Sequence, residues 1–379
     1  MDLGNEMDLG NEEAFAAPET IRRMLVTTWA LLYSLDPGQR RCCQFDMADP
    51  GRLDWDFIPK PDRQGIPLAR LDAHQRTLAQ SLLAAGLSVQ GYSQALQIMA
   101  MENMLREIEA PRLGVIAGDF RHQDQYFLAF FGRPGFEDTW GWRFLGHHLS
   151  LSYTIVDQRY LTVTPCNMGA QPASAGLLNP LGPDEDLGFE LLRSLDETQR
   201  ARAVIHTVAP ADYATRQVPF IGKVEYPDHV DLGIPWYRIT DEDREALKFS
   251  KDEPRGIGGS ELTTGQADAL LRLVAGYLNR MPEELATKQR DRVERDGLEN
   301  LYFCWAGAAE RGRPHYYRVQ GARLLIEFDN AIDGGNHIHS VWRDYRNDLG
   351  HDLLADHYQR ERATGHHLRA RLQSSVPDE

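Results

Sequence analysis

The period at which apolar residues recur changes several times along the chain, and each change marks an element. From about Glu19 to Tyr33, Ile21, Met24, Leu25 and Trp29 follow the three-and-four spacing of one helix face. Two more helices are expected, from about Asp72 to Ala85 with Gly86 as the stop, and from about Gln90 to Glu109, where Ile98, Met101, Leu105 and Ile108 form a stripe. The pattern then turns to strands at Tyr126–Phe131, Trp142–Ile155 and Tyr160–Pro165, with Asp157-Gln158 as a hairpin turn between the last two. Gly182 to Thr207 reads as helical, and Ala209 to Gly259 shows Pro, Gly and charge with little periodicity. Helices return at Thr264–Leu278 and Pro282–Asp296. Strands follow at Leu301–Ala306, His315–Gln320, Leu324–Phe328 and His337–Trp342, and then a charged helical tail from Leu349.

This order runs twice. Tyr126 to Ile155 and Tyr302 to Asn330 share an aromatic-rich strand, an Arg, a Gly and another strand, with Arg143 falling on Arg318 and Gly146 on Gly321. Helices precede each copy. The expected fold class is therefore α+β, with helices packed on antiparallel sheets in two similar helix-then-meander halves, an internal duplication. Chance similarity between amphipathic hairpins is the alternative. The divisions are a disordered tail (residues 1–13), a first half (14–208), a long irregular insertion (209–259), a second half (260–345) and a helical C-terminal tail (346–379). If the repeat is real, a site between the halves would draw a ligand group from each.

Composition narrows the partners. The net charge of -15, from 56 acidic and 41 basic residues, argues against nucleic acid or an anionic membrane as partner, since phosphate binding needs clustered Lys and Arg. No run approaches the roughly 20 apolar residues of a membrane span. Met1 to Glu6 is repeated at once as Met7 to Glu12, and it lacks the basic and apolar regions of a secretory signal. Cys42, Cys43, Cys166 and Cys304 match no zinc-ribbon spacing and no disulfide framework. They read as reduced and mostly buried, which suits a cytoplasmic protein.

The chemistry lies in the histidines. His337 and His339, two apart on a strand, can present both imidazoles to one ion. His147-His148, read at the start of another strand, offers one or both more. Neutral imidazole is a common donor to zinc, iron and copper, and three protein ligands with an open position mark catalytic centres. Hydrogen-bonded core or surface histidines are the competing reading. Glu327, in an otherwise apolar strand, is a candidate ligand, orienting group or general base, and Asp329 and Asp344 share that ambiguity. Arg143 and Arg343, flanked by aromatics, are candidates to grip a substrate carboxylate. His351 and His357 read as solvated or capping groups, and His366-His367 is discounted.

The strings "WGWRFLGHHLSLSYTI", "FCWAG", "PHYYR", "LLIEFDN" and "NHIHSVWRDYRNDLGHDLLADHY" resemble a bacterial and fungal family known as domain of unknown function 3500, over roughly Arg22 to Tyr358. That resemblance implies no established activity. The residues themselves point to a metal-dependent enzyme with one transition-metal ion held by His147, His148, His337 and His339. An oxidoreductase using iron or copper to activate dioxygen on a small organic substrate is favoured. A zinc hydrolase or lyase is the runner-up, and a non-catalytic metal- or ligand-binding protein a third reading.

Overall fold

A computed structural model describes residues 12–113, 121–222 and 238–364. The expected strands join with others in one mixed sheet, thirteen strands among the described residues. These are β1 (Gln44–Phe45), β2 (Ile66–Pro67), β3 (Phe127–Phe131), β4 (Thr139–Gly146), β5 (Leu149–Val156), β6 (Tyr160–Thr162), β7 (Cys166–Ala170), β8 (Val204–His206), β9 (Ile257–Gly258), β10 (Tyr302–Gly307), β11 (His315–Gln320), β12 (Leu324–Ile332) and β13 (His337–Asp344). The main path is β1-β3-β4-β5-β7-β13-β12-β11-β10-β8. Pairing is antiparallel except at the two ends, where β1 runs parallel to β3 and β8 to β10.

Pairing in one half of this path repeats in the other. Across β3, β4 and β5, Ala129, Arg143 and Ser152 stand side by side; across β10, β11 and β12, Cys304, Arg318 and Glu327 do so, each 175 positions later. A short parallel strand and a short antiparallel one flank each set, β1 and β2 on β3, β8 and β9 on β10. The helices that precede the sets are locked alike. Gln39 and Gln75 exchange side-chain hydrogen bonds at 2.9 and 3.0 Å, and Gln199 and Gln266 do the same at 2.9 and 2.8 Å. The sets meet where β7 pairs with β13, Cys166 opposite Trp342.

Cross-strand partners share a face, so the register sorts the side chains. One face carries Trp142, Phe144, Tyr153, Trp305, Tyr317, Phe328 and Trp342, packed with the helices in the main core. The opposite face carries Arg143, Arg318, Glu327, Asp329, His339 and Arg343 and is covered by loops that bring Trp55, Phe57, Tyr213 and Phe249 onto it. Trp140, Trp142 and Tyr317 are therefore core, on the other side of the sheet from Tyr316 and His339.

Three expectations need correction. Trp142–Ile155 is two strands, β4 and β5, because His147-His148 forms the turn between them. Gly182–Thr207 is two helices, Gly182–Ser194 and Glu197–Ala203, followed by β8; Asp196 caps the second by accepting from Gln199 N. Ala209–Gly259, read as irregular, holds a helix at Asp241–Leu247 and strand β9; residues 223–237 of it lie outside the described residues, as do 1–11 of the N-terminal tail and 365–379 of the C-terminal one, which include His366 and His367. All four cysteines are free, three of them buried. Among the described residues no helix is long and apolar enough to cross a membrane.

Candidate metal centre

The β4–β5 turn is shaped so that two adjacent histidines leave the sheet together. His148 takes a left-handed backbone, φ 61°, which is uncommon outside glycine and asparagine and bends the chain sharply. Gly146 lets Tyr126 pass: a Cβ there would stand 2.4 Å from the Tyr126 ring, whose hydroxyl donates to His147 O at 2.9 Å. His148 N donates to Phe57 O at 3.0 Å, and Gly169 N on β7 donates to His148 O at 2.6 Å. Gly169 also leaves room for the imidazole, since a Cβ there would meet His148 Cδ2 at 2.9 Å.

The first residues of β13 face this turn across the seam between the halves. His148 Nε2 and His337 Nε2 are 2.8 Å apart, and the ligand atoms of His148, His337 and His339 lie within 4.8 Å of one another. Asp212 Oδ1 lies 3.3 Å from His339 Nδ1, and Asp333 Oδ2 lies 3.6 Å from His337 Nδ1. At hydrogen-bond distance the Asp212 carboxylate holds the proton on His339 Nδ1 and leaves Nε2 as a lone pair, the usual support for a ligating imidazole, whereas Asp333 acts on His337 through its charge. Metal–nitrogen bonds of about 2.0–2.1 Å at 90–109° put ligand nitrogens about 2.8–3.4 Å apart. The His148–His337 pair matches that spacing and His339 lies within reach of both, so the three donors could hold one transition-metal ion. Burial, with His147 and the other histidines adding, holds His148 well below the usual imidazole value; burial, with His339 adding and Asp333 opposing, brings His337 down to about 4. Both are then neutral donors at neutral pH. Burial works against the charge of Asp212, but the hydrogen bond from His339 and that from Tyr213 N hold it below the usual carboxylate value.

His147 turns the other way, toward the helix Val89–Leu113. Its Nδ1 is 2.5 Å from Glu102 Oε1 and 2.7 Å from Arg121 Nη1, and Arg121 in turn donates twice to Glu109, at 2.7 and 3.1 Å. Burial, opposed by Arg121 and reinforced by Glu109, pushes Glu102 up to about 8. His147 is held well below the usual imidazole value by burial and then by Arg121. A cleft of about 700 Å³ opens beside these groups, with Leu105, Ile108 and Ile332 on its walls and Arg121, His147 and His337 among its polar lining.

The other residues singled out from sequence stand elsewhere. Glu327 accepts from Ala214 N at 2.7 Å, from Thr215 and from Tyr316 Oη at 2.7 Å, so its carboxylate anchors the loop that carries Asp212. Arg143 donates to the carbonyls of Gly51, Asp54 and Gln64. Arg343 donates to Asp348 and to the carbonyls of Val218 and Pro219. Both guanidiniums tie down the loops over the polar face. Asp344 pairs with Arg292 at 2.7 Å, His351 with Asp352 and His357 with Asp157. Asp329, opposite His339 on β12, is wholly buried, and burial followed by the charge of Asp212 holds its carboxyl far above the usual range.

Glu102, Glu109, Arg121 and Asp212 were not picked out from sequence. For the two glutamates a signal existed: Glu102 and Glu109 lie four residues after Ile98 and Leu105, on the apolar stripe, where a carboxylate needs a reason. Ile108 of that stripe is 60% exposed, at the cleft. Arg121 and Asp212 sit in loops with no periodic frame to betray them. No curated protein and no solved structure matches the chain. A family model described as a protein of unknown function, DUF3500, matches residues 17–351, and the chain belongs to that family.

Proposed function

We propose that this protein is a metal-dependent enzyme whose mononuclear centre is held by His148, His337 and His339, and that it is an oxidoreductase using iron or copper and dioxygen on a small organic substrate. The observation that carries the reading is the convergence of three imidazoles, His148 and His337 Nε2 at 2.8 Å, beside a largely apolar cleft. Three neutral donors suit iron and copper centres that keep open positions. Bound there, such an ion would supply one-electron chemistry. The chain's own residues orient His339 through Asp212 and place the Asp333 charge near His337, and Leu105, Ile108 and Ile332 give the cleft apolar walls. Arg143 and Arg343 are committed to backbone carbonyls, and Arg121, the guanidinium that lines the cleft, is committed to Glu109 and His147.

A second reading, a zinc hydrolase or lyase, draws on Glu102. Its carboxylate lies within 4.8 Å of ligand atoms of both His147 and His148, close enough to take a proton through one water. Metal analysis of protein produced with iron, copper and zinc all available separates the two. Iron or copper at one or more per chain supports the redox reading. Zinc alone, with no uptake of iron or copper on anaerobic reconstitution, overturns it and promotes the second. No stoichiometric metal of any kind overturns both.

A further inference from the structure

His147 and His148 are neighbours in sequence, but their rings stack, with centroids 3.6 Å apart and planes 30° apart. Imidazole lone pairs lie in the ring plane, so two stacked rings aim within separate, nearly parallel planes and do not converge on one ion. His148 aims at His337 and His339. His147 aims at Glu102, and the ligand atoms of Glu102, His147 and His148 form a second group within 4.8 Å.

That second group is left incomplete. Glu102 Oε2 is buried and has no hydrogen-bond partner; Arg121 Nη1 stands 3.9 Å away. On the other side, His147 Nδ1 faces both Glu102 and Arg121 at hydrogen-bond distance, and one ring nitrogen can serve only one of them. Arg121 does not forbid a further cation, because Glu109 already engages its guanidinium through two oxygens. An ion bonded to Glu102 and His147 would occupy the orphaned oxygen and resolve the crowded nitrogen.

We propose that Glu102 and His147 hold a second divalent transition-metal ion beside the three-histidine one, making the centre dinuclear with His148 between the two ions. This rests on the three-histidine centre proposed above and adds a second ion to it. The two ions would share the seam, one facing the loops and one facing the helix Val89–Leu113, and the cleft would open onto both.

The test is stoichiometry. Full-length protein, stripped with chelator and reloaded with Co²⁺ or Zn²⁺ alone, is analysed by native mass spectrometry and elemental analysis, with circular dichroism to confirm folding. Two ions per chain are expected, falling to one in Glu102→Gln, while His337→Ala/His339→Ala keeps the Glu102 ion. One ion in the unmodified chain overturns the second site and leaves the first. Two ions in both the unmodified chain and Glu102→Gln overturns it as well, because the second ion then lies elsewhere. No ion at all overturns the three-histidine centre itself.

Discussion

The two ends of the seam are built alike and equipped differently. In the first half Gly169 N, on β7, reaches back to His148 O in the β4–β5 turn; in the second, Tyr345 N, after β13, reaches back to Arg323 O in the β11–β12 turn. Here the counterpart lies 175 or 176 positions on. Where one turn carries His147 and His148, the other carries Ala322 and Arg323; where β13 begins with His337 and His339, the matching positions before β7 are Leu161 and Val163. The backbone scaffold is therefore indifferent to chemistry. A site arises at one end because four side chains there are histidine, with glycine at 169 to admit a ring.

The sharpest way to break this comparison is to exchange its terms. His337→Ala/His339→Ala is expected to lower affinity for the ion of the three-histidine centre more than about 100-fold and leave the fold intact. Leu161→Ala, at the matching buried position, is expected to cost about 2–5 kcal/mol in stability and leave metal affinity unchanged. Isothermal titration and chemical denaturation of both variants check this. Equal effects on metal would show that the two ends are not distinct.

The two matched arginines make a second contrast. Arg143 holds three loop carbonyls, whereas Arg318, equally buried, leaves Nε and Nη1 without hydrogen-bond partners beside the ring of Phe249. Arg143→Met should therefore destabilise by about 3 kcal/mol or more, since it orphans buried acceptors. Arg318→Met should destabilise by less than Arg143→Met, because no loop carbonyl loses its donor and the cost is the buried positive charge beside Glu327. Denaturant midpoints decide, and a larger loss at Arg318 would reverse the assignment.

Asp212→Asn probes the support of the centre rather than its donors. Metal affinity is expected to fall about 10–100-fold with the fold unchanged, because the partner of His339 Nδ1 loses its charge. An unchanged affinity would remove Asp212 from the centre.

The smallest effect expected is on the pH dependence of the metal-free protein. Folded His337 stays neutral down to about 4, while the unfolded chain takes up the proton from 6.5, so stability falls as pH drops from 6.5 toward 4, on the order of 3 kcal/mol at most. Glu102 acts oppositely. Its folded value near 8, above 4.5 unfolded, means stability lost as pH rises from 4.5 to 8. His337→Gln should flatten the acid limb and Glu102→Gln the alkaline one, in melts followed by circular dichroism. A variant whose limb keeps its slope removes that group from the account.

What could be seen from sequence follows the reach of each signal. Helix Thr264–Leu278 and strand His315–Gln320 were placed to the residue, because their periodicity is local and strong. The match of Arg143 with Arg318 could be read because both sit in long strands with aromatic neighbours. Strand β7 was missed: Cys166, Asn167, Met168, Gly169 and Ala170 lack β-branched residues and are held by partners on both sides. The turn at His147-His148 was hidden because Gly146 and Leu149 extend the strand pattern across it. For the candidate centre, the donor histidines announced themselves, but their carboxylate partners Asp212 and Glu102 are joined to them only by tertiary contact. Buried Glu327 and Arg343 looked functional because a charge in an apolar strand reads the same whether it serves a substrate or a loop.

The contact between His148 and His337 joins residues 189 positions apart. An ion bonded to both would close that stretch of chain into a ring, as a covalent crosslink does. In the chain-entropy description, a closed loop of this size removes on the order of 5 kcal/mol of freedom from the unfolded ensemble. The ion would thus act as a clasp, and stripping it with chelator should lower the denaturation midpoint of the chain.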